Sequence, residues 1–225
     1  FIAYSQYGRL DLPRELADFA LPDVGYFKGK FFSYFPPGIS LLIAPLTLYG
    51  ERFNMAQLYG YATMAIVGIL TLLFMFLIAR HMLVLPVWAS LIAVLIFGFG
   101  TVGWVYALAI YQHMVTALLI VAGIYFTWRY RAAKRHRFFY AILVWAIYGF
   151  SLLVDYPNFL LLAPVGVYLV VSSFRIAEDE HNFRVVWHLS TMFAAVAFAV
   201  AVGSLFWYNY QNFGNPFQTT NTLPR

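Results

Sequence analysis

The chain has no cysteine, which excludes disulfides, thiolate nucleophiles and cysteine-based metal sites and leaves the redox compartment unread. Charge is scarce as well. Asp, Glu, Lys and Arg make up 10% of the residues, where a soluble globular domain carries about a quarter. No Gly-rich phosphate loop, serine-hydrolase elbow or HExxH pattern occurs, so those motif-borne chemistries are closed to it. Internal repeats and low-complexity tracts are absent too. The first residue is Phe1 rather than Met, no secretory signal is visible, and the last residue, Arg225, ends a polar stretch. That combination reads as an internal piece of a longer protein.

What is there is apolar. Hydrophobic residues make up 63% of the chain and the mean hydropathy is +0.74, an excess that has to face lipid. The net charge of +5 does not form one patch. Its basic residues fall in loops between hydrophobic runs, where they orient a protein in a bilayer, so no nucleic-acid partner is expected. Six runs near 55–79, 84–100, 104–127, 138–154, 158–174 and 187–208 are each about the length a bilayer core needs. The weakest is 84–100, shortened by Pro86 and two late glycines. The expected fold class is all-α, a polytopic transmembrane helical bundle with multiple passes.

Lys and Arg set the orientation. The stretch "RYRAAKRHR" (129–137) holds five of the fourteen and is expected in the cytoplasm. Counting outward, Arg80 and the loop at 175–184 also fall inside. The turns near 101–103 and 155–158, which lack Lys and Arg, fall outside, together with residues 51–54 and the chain after Tyr208.

The stretch "FFSYFPPGISLLIAPLTLYG" (31–50) is apolar but too short to span. Its prolines and length favour a helix over 39–50 lying along the outer interface; a short buried helix with an ordinary aromatic belt is the other reading. The expected organisation is therefore a first outer loop over 1–54, a helical bundle over 55–208, and the start of a further outer loop over 209–225.

Between Arg52 and Arg175 the sole acid is Asp155, in "LLVDYPNFLLL". An ionisable group at membrane depth is a functional candidate by default, while capping of the helix that begins at Pro157 is the structural reading. His113 lies two to three turns into the expected helix 104–127, where Tyr111, Gln112 and His113 break an apolar run. A packing role is the plainer reading of this histidine. No second histidine follows at ligand spacing, so no zinc site is expected. The N-terminal loop mixes Asp11, Glu15, Asp18 and Asp23 with Arg9, Arg14, Lys28 and Lys30. Such a mixture can supply a general base and a phosphate clamp, or simply a solvated surface.

Four stretches, in order, resemble the bacterial membrane glycosyltransferases of the GT-C type that use polyprenyl-phosphate sugars, a group including protein mannosyltransferases and lipid A sugar transferases. They are "DVGYFKGKFFSYFPPGISLLIAPLTLYG" (23–50), "YQHMVTALLIVAGIYF" (111–126), "DYPNFLLLAPVGVYL" (155–169) and "YNYQNFGNPFQTT" (208–220). The resemblance implies a juxtamembrane helix after the first outer loop. It also implies a polyprenyl-phosphate sugar donor, a lipid, glycan or protein acceptor, and action at the extracytoplasmic face of the inner membrane, in the cell envelope. The key acid of such enzymes lies in the first outer loop, so Asp11 and Asp23 are the catalytic candidates unless that acid precedes Phe1. Lys28, Lys30, Tyr34, His113, Asp155 and Tyr156 are the substrate-binding candidates. No metal ligand and no certain cofactor follow, though the phosphate chemistry leaves room for a divalent cation. Many relatives carry a lysine just before Pro-Gly, where this chain has Phe35. The rival readings are a transporter or flippase, a polymerase or ligase of lipid-linked glycans, and a structural membrane subunit.

Overall fold

A computed structural model describes residues 10–133, 135–179, 182–187 and 189–223. Arg9, Lys134 and the end of the chain at Arg225 lie outside them. The architecture is mostly helical, with two antiparallel hairpins that the all-α expectation omitted. After α1 (Arg14–Phe19), the strands β1 (Val24–Phe27) and β2 (Lys30–Ser33) pair, with Phe27 opposite Lys30. The two residues between them, Lys28 and Gly29, have φ of 47° and 83°, the doubly positive geometry of a type I′ turn. Such turns favour Gly at the second position because it pays no Cβ penalty there. The second hairpin, β3 (Phe174–Asp179) with β4 (Asn182–Trp187), occupies the expected cytoplasmic loop at 175–184.

The helices follow as α2 (Gly38–Glu51), α3 (Ala56–Leu77), α4 (Val87–Gly100), α5 (Gly103–Ala107), α6 (Gln112–Ala132), α7 (Arg137–Val154), α8 (Asn158–Ser172), α9 (Leu189–Ala194) and α10 (Val196–Phe213). A π-helical turn, Ile78–Met82, extends α3. Among the described residues three helical stretches are long and apolar enough to cross a membrane: Ala56–Met82, Arg137–Val154 and Met192–Phe213. Only 33%, 39% and 17% of their most apolar stretches are buried in the protein, so much of that apolar surface faces outward. Polar groups inside α3 are satisfied within it. The hydroxyl of Thr63 donates to the Tyr59 carbonyl at 3.0 Å, and that of Thr71 to the Val67 carbonyl at 2.8 Å, as an apolar surrounding requires.

The other expected spans differ. α4 and α8 are 14 and 15 residues long, short of the roughly 20 a span needs. The run 104–127 is not one helix: α5 stops at Ala107, and Tyr111 is extended (φ −126°, ψ 154°) before α6 starts at Gln112. His113 therefore sits in the first turn of its helix rather than two to three turns in. No Gly or Pro occurs between Trp104 and Gln112 to announce the break. The last span runs on to Phe213, so residues 209–213 are helix rather than outer loop, and the chain turns away at Gly214 (φ 70°), a left-handed cap.

One core joins α3, α6, α7 and α8 through Met64, Val67, Met114, Val115, Leu119, Tyr148, Val154 and Leu162. α3 and α6 run parallel: Met64 and Met114 share that core, and Phe74 meets Phe126 at 5.3 Å further along. α7 returns antiparallel to α6, with the Arg129 side chain on Tyr140 at one end and Gln112 beside Asp155 at the other. α10 lies on α7 through Trp145 and Phe198 at 5.7 Å. Within the helices α3, α6 and α7 the arginines gather at one end, while Arg52 and Glu51 lie at the other, where α2 meets α3. The gathered arginines are Arg80, Arg129, Arg131 and Arg137, and Asp155 stands at the opposite end.

α2 keeps to the Asp155 end. Gly38 sits on the last turn of α7, where a Cβ would come within 2.4 Å of the Leu153 carbonyl, and Gly50 sits on Tyr59 in the first turn of α3. Ile39, Leu42 and Ile43 pack on the core, while Leu41 and Tyr49 are exposed.

Candidate functional site

The turn after α7 is the meeting point of the chain. Asp155 leaves the helix in extended conformation (φ −159°, ψ 135°), its N–H donating to the Ser151 carbonyl at 3.0 Å. Its carbonyl accepts the Asn158 N–H at 3.1 Å. The side chain of Asn158, 1% exposed, locks the turn by donating to the Ser151 carbonyl and the Thr116 hydroxyl, both at 3.0 Å. Among the described residues no side chain caps α8, whose N-cap is Pro157. Capping is therefore not the job of the Asp155 carboxyl, which is left to face its neighbours.

Those neighbours come from α6. Burial pushes the Asp155 carboxyl above its ordinary pKa, while the adjacent His113, the Tyr156 N–H and the Gln112 side chain pull the other way. Burial dominates. His113 is exposed at the start of α6, its ring 5.0 Å from Tyr106 in an edge-on contact and 6.3 Å from Tyr111 in a stack. A carboxyl whose pKa is raised, beside an accessible imidazole, can accept a proton and can orient or neutralise an anion.

Tyr156 points the other way, toward the C-terminal stretch. Burial raises its hydroxyl pKa as well, with Thr220 opposing and the charge of Asp155 adding. The hydroxyl is buried against Thr220 without a partner at full hydrogen-bond geometry among the described residues. Tyr208 of α10 is its other neighbour. Thr220 is fully buried and donates to the Tyr34 carbonyl at 2.8 Å, while the Tyr34 hydroxyl donates to the Asn221 carbonyl. Leu223 then packs with Phe32 and Phe213, edged by Phe27. Nearby, Asn209 donates to the Pro216 carbonyl at 3.1 Å, and its own side-chain carbonyl is buried without a partner among the described residues.

Of the residues singled out from sequence, His113, Asp155, Tyr156 and Tyr34 are thus joined, through Gln112 and Thr220, into one group. Asp23 touches it by backbone alone: its carbonyl accepts the Tyr34 N–H at 2.8 Å, while its side chain is exposed. Asp11 and Lys30 form a second group. Asp11 is 5% exposed, and a carboxyl oxygen lies 3.9 Å from the Lys30 ammonium. Lys28 is exposed at the hairpin tip, 5.2 Å from the centre of the Phe27 ring. No contact joins Lys28, or the Asp11–Lys30 pair, to Asp155 among the described residues. Asn158 and Thr220 were not singled out from sequence; each is a polar residue beside an apolar or aromatic stretch, and that was the available signal. Among the described residues no group of three or more His, Asp or Glu gathers that could hold a metal ion.

Comparison of the chain with family models, with curated proteins and with solved structures finds no match in any of the three.

Proposed function

We propose that the chain belongs to a multi-pass membrane glycosyltransferase that moves a sugar from a polyprenyl-phosphate donor to a lipid, glycan or protein hydroxyl at the extracytoplasmic face of the bacterial inner membrane. In this reading α4, α6 and α8 cross the bilayer together with the three stretches that are long and apolar enough to do so, and the Asp155 end faces outward. The observation that carries it is convergence. Gly38, Gln112–His113, Asp155–Tyr156 and Tyr208–Thr220 come from the four stretches that resemble such enzymes, and they meet around the half-buried Asp155 turn at the end of an apolar bundle.

Asp155 is assigned as the proton-accepting carboxylate in preference to Asp11 and Asp23. Asp11 is tied to Lys30 and Asp23 is exposed, whereas Asp155 has the raised pKa and the imidazole neighbour that general-base work calls for. In the reaction the acceptor oxygen bonds to the anomeric carbon as the bond from that carbon to the phosphate oxygen breaks. The acceptor proton passes to Asp155, and the lipid phosphate leaves carrying the electron pair. His113 lies where it can stabilise that leaving phosphate, Tyr34 and Tyr156 brace the Asp155 turn against the C-terminal stretch through Thr220, and Lys28 and Lys30 add cations at headgroup depth. The test is transfer of labelled sugar from a polyprenyl-phosphate donor by the complete protein in vesicles. Asp155→Asn is expected to lower the rate by about 10²–10⁴-fold. Full transfer by Asp155→Asn and His113→Ala alike would falsify the assignment.

A further inference from the structure

The end of the bundle opposite Asp155 gathers cations from three helix ends. α3 closes there with Arg80 and His81, α6 ends in Arg129 and Arg131, and α7 begins with Arg137 just after Arg135. Aromatic rings fix them in place. The His81 ring stacks on Trp128, 6.4 Å between centres and 8° between planes. Arg129 donates through Nε and Nη2 to the Tyr140 hydroxyl at 3.3 and 3.1 Å, and its guanidinium lies 5.5 Å from the centre of that ring. Arg137 donates through Nε to the Ala133 carbonyl at 2.8 Å and lies 6.0 Å from the Tyr130 ring.

Among the described residues no bond engages Nη1 of Arg129 or either terminal nitrogen of Arg137, and Arg131 and Arg135 are exposed. Among the described residues none of these arginines has a carboxylate partner. α7 adds its own donors, since among the described residues no side chain caps its start at His136 and the first-turn N–H groups of a helix favour an anion. The exposed rings of Phe138 and Phe139 flank the place.

Pre-positioned guanidinium edges, an uncapped helix start and exposed aromatics make a receptor for phosphodiesters at the edge of a bilayer. We propose that this end binds the headgroup phosphates of an anionic phospholipid, with Arg129 and Arg137 as fixed donors and Arg131 and Arg135 as the exposed outer pair. The site lies away from the Asp155 turn and owes nothing to sugar transfer.

The test uses the complete protein in nonionic detergent, with retained lipid counted by native mass spectrometry and thermal unfolding followed on addition of each probe. Cardiolipin and phosphatidylglycerol are expected to be retained and to raise Tm. Phosphatidylcholine, and inorganic phosphate at equal phosphorus, are expected to do neither. Arg129→Gln with Arg137→Gln should weaken cardiolipin binding roughly tenfold or more. Because Arg129 also holds Tyr140, a second variant, Arg131→Gln with Arg135→Gln, removes side chains that make no described bond. It should weaken binding several-fold while leaving the lipid-free Tm unchanged. Equal retention of phosphatidylcholine, competition by inorganic phosphate as strong as by lipid, or parental binding by both variants overturns the proposal.

Discussion

Asp155 carries a stability consequence that is separable from its chemistry. Burial raises its folded pKa above the ordinary value of about 3.9, so the folded protein holds this proton more tightly than the unfolded chain. Stability from this group is therefore full below the unfolded pKa and is lost as pH rises through the folded one. Asp155→Asn cannot ionise. Its Tm should exceed the parent's at neutral pH, with the gap closing as pH falls toward 4; a gap that widens on acidification contradicts the burial of this carboxyl. Asn158 is the opposite kind of residue. Its amide makes both bonds that lock the turn, so Asn158→Ala should cost about 1–3 kcal/mol, read as a lower denaturation midpoint.

Among the elements, α2 is positioned by contact at both ends. A Cβ on Gly38 would meet the Leu153 carbonyl carbon and oxygen at 2.4 Å and the Val154 nitrogen at 2.6 Å, all backbone atoms that cannot swing aside. Gly38→Ala should therefore cost about 1–3 kcal/mol and displace the Asp155 turn, lowering Tm and transfer together. At the hairpin tip, Gly29→Val puts a branched side chain at φ 83° and should cost about 1–3 kcal/mol. Lys28→Asn keeps a residue that tolerates positive φ, so a fall in transfer at unchanged Tm would assign Lys28 to the phosphate. Much of this level was legible in the sequence. The short helix after Pro37 emerged within a residue of its bounds because its apolar run is bracketed by Pro-Gly and by Glu51. The β1–β2 hairpin is not legible in the sequence, because Lys28-Gly29 is not among the dipeptides that announce a two-residue hairpin turn and its flanking aromatics read equally as a headgroup belt. The break before Gln112 had no Gly or Pro to mark it, and His113 was consequently set too deep. The pairing of Asp155 with His113 lies beyond any sequence pattern, because it depends on α6 and α7 running antiparallel.

Over the whole molecule, the bundle separates an arginine end from an Asp155 end, which fits an orientation with the arginines in the cytoplasm. The 225 residues hold no cysteine, so a cysteine introduced among them reads that orientation once any cysteine elsewhere in the complete protein is replaced by serine. Asn215→Cys should react with an impermeant maleimide added outside intact cells, and Arg135→Cys only after permeabilisation; the reverse pattern contradicts the orientation. The central claim is that a polyprenyl-phosphate sugar rests against the Asp155 turn, and the most direct measurement is photo-crosslinking of a donor analogue whose reactive group sits beside the phosphate. Digestion and mass spectrometry of the labelled protein should find the adduct within residues 31–38, 111–116 or 153–158. Label confined to the arginine end, or spread evenly over the lipid-facing helices, contradicts the account.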